Sequence, residues 1–321
     1  GYKASAIFGD ALEACMTATI VAVANLKGGV GKSTTTVMLA DSLAYFYGLN
    51  VLVIDLDAQA NSSQMLLTER GVQAASEQGK GAHHLINQFI SGETPDAAPF
   101  IMPNAVTLEE LRLAEEQDER RGWIASLPSH PQLRLQELTL EEDWYSKAGT
   151  PTTLAKALET HFRAAFETLM PLYDVILLDC PPHLSPLSRA GLAMADVYVM
   201  PTIADAVSTW GTKQFSDWVG ANFAPDLPRR NFVIITRFRN TSYARQVQTE
   251  LKEIYLKDRW FGPTIPESVH VLNAMDRPAP DSYNTFRGKY GGVKGDVRRL
   301  AERFTDFLTQ RTGRTWKKIR D

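Results

Sequence analysis

The sequence predicts an α/β fold in three layers, with a mostly parallel, twisted central sheet flanked by helices on both faces. Three observations lead there. Short apolar runs, beginning at Ile20 and recurring at 51–54, 123–127, 175–178, 197–200 and 232–235, have the length and unbroken hydrophobicity of strands buried on both sides. Between several of them lie longer stretches whose apolar residues recur every three to four positions, as in crossover helices. Polar and ionisable residues gather just after the runs, at the strand ends where open α/β sheets bind ligands.

With 321 residues, 44% hydrophobic and 22% charged, the chain has enough apolar material for one large or two small globular units. Its longest apolar runs fall well short of the roughly 18 residues that a transmembrane helix needs. Cys15 and Cys180 are too few for a disulfide framework, and no His/Cys spacing matches a zinc site. A reducing cytoplasm suits such a chain. Residues 1–19 lack the cationic start and long apolar core of a secretory signal. They read either as an extension or expression remnant upstream of Met16, or as a short helix over 4–15. Both leave the segment too short for a helix-turn-helix domain.

The stretch Ile20 to Met38, IVAVANLKGGVGKSTTTVM, reads as strand, phosphate loop and helix. Gly28, Gly29 and Gly31, with Val30 between them, let successive N–H groups converge on phosphate oxygens. The helix that follows, through Lys32, Ser33 and Thr34, adds unpaired N–H groups and the positive end of its dipole. Lys32 supplies a mobile ammonium for the β and γ phosphates, and Ser33 a hydroxyl ligand for Mg²⁺. The generic pattern G-x-x-x-x-G-K-[ST] is missed at its first position, where Leu26 stands. Lys27 precedes the glycine pair instead, giving KGGVGKST. This resembles the deviant Walker A motif of the ParA/MinD family of P-loop ATPases. The resemblance implies a P-loop NTPase fold, ATP and Mg²⁺ as cofactors, and a Lys27 that reaches the nucleotide of a second subunit.

Thr34 to Gly48 carries Val37, Leu39, Ala40, Leu43, Ala44 and Phe46 at helical spacing, with Gly48 as the stop. Val51 to Ile54 is the second strand and runs into DLDAQAN. One aspartate there could be a helix N-cap. Two in alternation, Asp55 and Asp57, favour a metal and a nucleophilic water, both of which need acceptors. The segment also resembles the family's D-x-D-x-Q-x-N, which implies that Asp55 holds Mg²⁺ through water, Asp57 positions the attacking water, and Asn61 belongs to the same switch. Thr68 to Gly81, polar and rich in Gly, Gln and Ser, reads as a mobile loop. His84 to Ile90 looks helical, while His83 and His84 lack a third metal ligand and are placed at the surface without chemistry. Thr107 to Arg121 reads as a solvated amphipathic helix. Trp123 to Leu127 reads as a strand closing in Pro128-Ser129, similar to the family's Pro-Ser turn. Leu133, Leu135, Leu138 and Leu140 then alternate with polar residues in a region where family members differ.

Leu154 to Leu169 has a helical pattern in which His161 is packed or half-exposed. Val175 to Leu178 closes in Asp179-Cys180-Pro181-Pro182, the Walker B pattern, with the carboxylate near the Mg²⁺ shell. Its D-x-P-P form again resembles the family, and Cys180 reads as a small buried hydrophobe. The next two strands end in Pro201-Thr202 and Thr236-Arg237, at the same rim. The resemblance makes Thr236 and Arg237 candidates for adenine contact, and matches Pro266 to the family's late Ile-Pro segment beside the nucleotide. A turn followed by a surface helix is an equally adequate reading of that segment.

From Arg287 to Asp321 eleven basic residues face four acidic ones, a formal +7 in a chain of net −3. Val297, Leu300, Ala301, Phe304, Phe307 and Leu308 recur at helical spacing, so this helix packs on the body and turns its arginines outward. Arg298, Arg299, Arg303, Lys317 and Lys318 are the candidate DNA contacts, against the plainer reading of a solvated face. The resemblance covers about Ile20 to Leu308 and favours the ParA branch. Asn25 matches it, and RTWKKIRD has only Trp316 and Ile319 as apolar anchors for a membrane. The expectation is a single ATPase domain over 20–321 with a basic C-terminal helical region. It would dimerise with ATP, bind double-stranded DNA non-specifically on the nucleoid, and segregate or position cargo with a ParB-like partner or other adaptor that stimulates hydrolysis. The alternative is a MinD-like membrane-associated positioning ATPase. An ATP-dependent biosynthetic or metal-cluster enzyme would need a substrate site or clustered cysteines, and the sequence shows neither.

Overall fold

The computed structural model describes residues 18–115, 122–148, 150–256, 259–276 and 283–320. The possible helix over 4–15, Met16, and the ends of two expected surface helices lie outside these residues. Seven strands, β1 (Thr19–Val23), β2 (Val51–Asp55), β3 (Ile124–Leu127), β4 (Val175–Asp179), β5 (Val197–Thr202), β6 (Asn231–Ile235) and β7 (Trp260–Phe261), form one sheet. Its order is β3-β2-β4-β1-β5-β6-β7. Every neighbouring pair is parallel.

Strand periodicity explains the layers. Side chains alternate across a sheet, and here Ile20, Ala22, Leu52, Ile54, Ile176 and Leu178 enter one apolar cluster. Val21, Val23, Val51, Val53, Val175 and Leu177 enter another. Both faces are thus buried, which is why these strands read as continuous apolar runs.

The helices follow in chain order. After β1 comes α1 (Lys32–Tyr47), stopped by Gly48 at φ 64°. After β2 come α2 (Asn61–Glu77), α3 (Ala82–Ile90) and α4 (Glu109–Glu115). Between β3 and β4 lie α5 (Leu133–Ala148) and α6 (Pro151–Phe166), and α7 (Pro186–Met194) leads to β5. Then come α8 (Ala206–Asn222), α9 (Leu227–Arg230), α10 (Ser242–Glu250), α11 (Val269–Asp276), α12 (Phe286–Tyr290) and α13 (Lys294–Thr312). Helix α13 packs on α1, and its Val297, Leu300, Phe304, Phe307 and Leu308 are buried in the second cluster. No helix among the described residues is long and apolar enough to cross a membrane.

Two local expectations are corrected. Thr68 to Gly81 is not a loop, since α2 continues to Glu77 past a kink at Thr68 (φ 67°, ψ 164°). Val72 and Ala75 are buried there, so two apolar contacts outweigh the polar composition. His83 is not a surface residue. Only 2% of it is exposed, and its ring stacks on His130 and lies tilted against His84 while its Nε2 lies 3.0 Å from the Ser76 hydroxyl. Burial among other imidazoles pushes its pKa down to about 4. The alternating leucines after Pro128 belong to a helix, with Leu133 and Leu140 buried and Leu135 and Leu138 exposed.

Candidate active site

Chain reversal from β1 into α1 is made by Gly29 (φ 73°) and Gly31 (φ 81°), a backbone region that disfavours any residue with a Cβ. The loop is braced from neighbouring strands. Thr236, after β6, donates its hydroxyl to the Val30 carbonyl at 2.7 Å, and Arg237 donates from Nη1 to the Gly29 carbonyl at 3.1 Å. Asn25 donates from Nδ2 to the Pro201 carbonyl (2.8 Å) and Thr212 Oγ1 (2.9 Å), and accepts from the Lys27 N–H at 3.1 Å.

The two lysines diverge. Lys32 is 7% exposed and donates to the Lys27 carbonyl at 3.3 Å. Burial lowers its pKa, and the carboxylates of Asp179 and Asp57 oppose that shift. Lys27 instead turns to α8, where it pairs with Asp205 at 3.3 Å and with the Ser208 hydroxyl. About a third of its side chain is exposed.

Carboxylates close the inner wall. Asp55 and Asp179 are register partners at the ends of β2 and β4. Asp55 is fully buried and accepts from the Asp57 N–H (3.0 Å), the Ser63 N–H (3.0 Å) and the Ser63 hydroxyl (2.6 Å). Both Asp179 oxygens are buried and lack a hydrogen-bond partner among the described residues. Burial, reinforced by Asp55, pushes the Asp179 carboxyl up to about 8, and burial holds Asp55 at about 6. A buried carboxylate with orphaned oxygens beside a hydroxyl residue and a buried lysine fits an oxygen-liganded divalent cation, and Mg²⁺ on Ser33 and Asp179 with Asp55 behind satisfies that chemistry. Asp57 is 7% exposed, and its Oδ1 accepts from the Gln59 N–H at 3.0 Å. Ala60 beyond it holds φ 55°, a strained value for a residue with a Cβ.

Several of these groups line a cavity of about 370 Å³. Its lining combines the glycine loop, Lys32, Ser33, Thr34 and Asp57 with the apolar side chains of Met38, Met65, Ile265, Pro266, Val271 and Leu272. Phosphate-binding and apolar surfaces in one cavity suit a nucleotide.

Comparison with known proteins narrows the reading. A family model described as an AAA domain matches residues 18–222. The chain is 30% identical over 257 residues to the chromosome-partitioning ATPase Soj of Thermus thermophilus, covering 79% of this chain and 83% of that one. The chain belongs to the ParA-like family of deviant Walker A P-loop ATPases. Among solved structures, a putative plasmid partition protein of Borrelia burgdorferi bound to AMPPNP shares the fold (TM-score 0.65, 20% identity, 90% of this chain and 99% of that one). So does cobyrinic acid a,c-diamide synthase of Mycobacterium smegmatis with ADP and magnesium (TM-score 0.60, 20% identity, 95% and 100%).

Of the residues picked from the sequence of this ParA-like ATPase, Gly28, Gly29, Gly31, Lys32, Ser33, Thr34, Asp57, Thr236, Arg237 and Pro266 all line the cavity. Val30 keeps its side chain in the core and contributes only backbone. Asp55 and Asp179 lie behind the lining, and Lys27 stands outside it. The Thr236 hydroxyl and one Arg237 nitrogen are engaged by the loop carbonyls, so both brace the phosphate loop. Sequence reasoning missed Asp205 and Ser208 as partners of Lys27, and Ser63 as the group that orients Asp55. An N-cap aspartate after β5 was the available signal for the first; a serine eight residues after Asp55 carried none.

The basic end is less free than its charge count implies. Arg298 and Lys318 both reach Glu302, at 3.7 and 3.1 Å. Arg299 pairs with Asp296, and the Arg303 guanidinium stacks over Trp260 at 5.1 Å. Such exposed pairs are weak, each contributing roughly 0–1 kcal/mol, so the cations can exchange one anion for another.

Proposed function

We propose that this ATPase closes into an ATP-dependent sandwich dimer that binds double-stranded DNA non-specifically and positions a plasmid, a chromosome or another cargo. A ParB-like or other adaptor protein would stimulate hydrolysis, and the protein would work in the cytoplasm on the nucleoid. The observation that carries this reading is the placement of Lys27. It belongs to the phosphate loop yet stands outside its own cavity, partly exposed, on Asp205 and Ser208. A lysine so held can leave its weak surface pair to serve a phosphate on a second copy. The relative named as a chromosome-partitioning ATPase supports the DNA-linked role.

ATP is the substrate, with its phosphates on the N–H groups of residues 28–34 and its base toward Pro266 and Val271. Mg²⁺ would be held by Ser33 and Asp179, with Asp55 behind, and would supply neutralisation of phosphate charge. Lys32, kept dry, adds charge where the γ-phosphate leaves. Asp57 uses one oxygen to fix Gln59 and keeps an acceptor for a water near the phosphate end. DNA would be held by phosphate contacts from Arg298, Arg299, Arg303, Lys317 and Lys318, and so in a salt-dependent way. A MinD-like role is less well supported. Residues 313–320 are not helical, the partly buried Trp316 packs against the core, and the Ile319 N–H donates to the Phe46 carbonyl at 2.7 Å.

The test is DNA co-sedimentation of wild type, Asp57→Ala and Lys27→Ala with ADP, ATP or no nucleotide at two salt concentrations. Binding only with ATP, stronger in Asp57→Ala, absent in Lys27→Ala and lost at higher salt is expected. No DNA binding in any state, or ATP-dependent binding to anionic liposomes instead, would overturn the DNA assignment.

A further inference from the structure

Helix α11 supplies Val271 and Leu272 to the apolar lining of the cavity. That helix rests on Gly291, φ 50°, so closely that a Cβ there would lie 2.5 Å from the His270 ring. One residue earlier, Tyr290 is fully buried and donates its hydroxyl to Asp41 Oδ2 on α1. Its neighbour Lys289 is 1% exposed and donates to the same oxygen at 2.6 Å and to Thr107 Oγ1 at 2.7 Å. Asp41 is on the helix that begins at the phosphate loop, nine residues beyond Lys32. An unbroken chain of contacts therefore runs from the phosphate loop along α1 to Asp41, across to α12, through Gly291 and His270, and into the cavity wall.

We propose that Asp41, Lys289, Tyr290 and His270 are positioning residues for nucleotide binding, setting the distance between the phosphate loop and the wall that meets the base. A buried ion pair is a poor source of stability but serves as a registry device, because neither charge tolerates being left unpaired in the interior. None of the four residues lines the cavity, so their effect on the nucleotide passes through α11. The proposal rests on ATP as the ligand of the cavity.

The probes are Mg·ATP and Mg·tripolyphosphate, the second of which uses the phosphate end alone. Tyr290→Phe removes only the hydroxyl from the anchor, and His270→Ala removes the exposed ring through which α11 meets Gly291. Each is expected to raise the ATP Kd about 3- to 10-fold, the cost of a wall that must be ordered on binding, while leaving the tripolyphosphate Kd within about two-fold. Thermal unfolding of the same samples controls for folding. Parallel losses for both ligands, or a lowered melting temperature with the ratio of the two affinities unchanged, would reduce the cluster to core packing and overturn the proposal. Wild-type protein that held tripolyphosphate no less tightly than ATP would refute the nucleotide reading itself.

Discussion

Replacing Lys289 by Met should destabilise the protein far more than the loss of one contact suggests. The lysine is the only cation bonded to Asp41 among the described residues, and both groups are buried. Asp41 Oδ1 already lacks a hydrogen-bond partner, so Lys289→Met would leave a buried carboxylate with only the Tyr290 hydroxyl on its other oxygen. Breaking a buried pair in this way costs about 3–5 kcal/mol. At roughly 2.1 cal/mol/K of unfolding entropy per residue, a chain of this length loses about 1.5 °C for each kcal/mol. The midpoint of thermal unfolding should therefore fall by about 4–7 °C. The double variant Asp41→Leu/Lys289→Met, which removes both charges and keeps apolar volume, should recover most of that loss. Calorimetry or urea titration of the three proteins is the assay. A single variant within about 1 kcal/mol of wild type, or a double variant no better than the single, would refute the reasoning.

Further outcomes concern the site and its surroundings. Lys32→Ala should abolish ATP binding measured by calorimetry, since it deletes the only buried cation at the phosphate end of the cavity among the described residues. Thr236→Val keeps the shape but leaves the Val30 carbonyl without its 2.7 Å donor; a loss of about 1–2 kcal/mol in stability is expected by urea titration. His83 is held neutral, with a folded pKa near 4 against an ordinary value of 6.5. The unfolded chain thus binds the proton first, so stability present above pH 6.5 drains away as the pH falls toward 4. The loss amounts to about 3 kcal/mol at most. The variant His83→Leu should show a flatter stability profile across that window, and an unchanged slope would exclude His83 as the cause.

What was legible in the sequence followed from local rules. The strands announced themselves because burial on both faces leaves no room for polar residues, and the loop 27–34 because the φ of residues 29 and 31 strongly favours glycine. The misreadings come from packing and pairing that composition does not record, some of it distant in the chain and some within two turns. His83 is buried by His130 and Ser76, and no local pattern records that. Gln, Ala and Ser between Thr68 and Gly81 suggested a loop, whereas Val72 and Ala75 find the core. The arginines of α13 were counted as free charge, yet Glu302 lies one turn from Arg298 and also receives Lys318 from beyond the helix end. The resemblance directed Lys27 toward a second subunit, but its resting partner was not legible, because Asp205 is 178 positions away.

Strand order adds a final consequence. β1 stands fourth of seven, so the phosphate loop leaves the middle of the sheet with a different neighbourhood on each hand. On the β4 and β2 side are the acids Asp179, Asp55 and Asp57. On the β5 and β6 side are Asp205, Thr236 and Arg237, which hold the loop and its outward lysine. Genetic lesions should sort by geography. Those on the acidic flank are expected to impair metal binding and hydrolysis, and those on the other flank to loosen the loop and the resting place of its outward lysine. A collection of loss-of-function alleles mapped onto the sheet would split along β1.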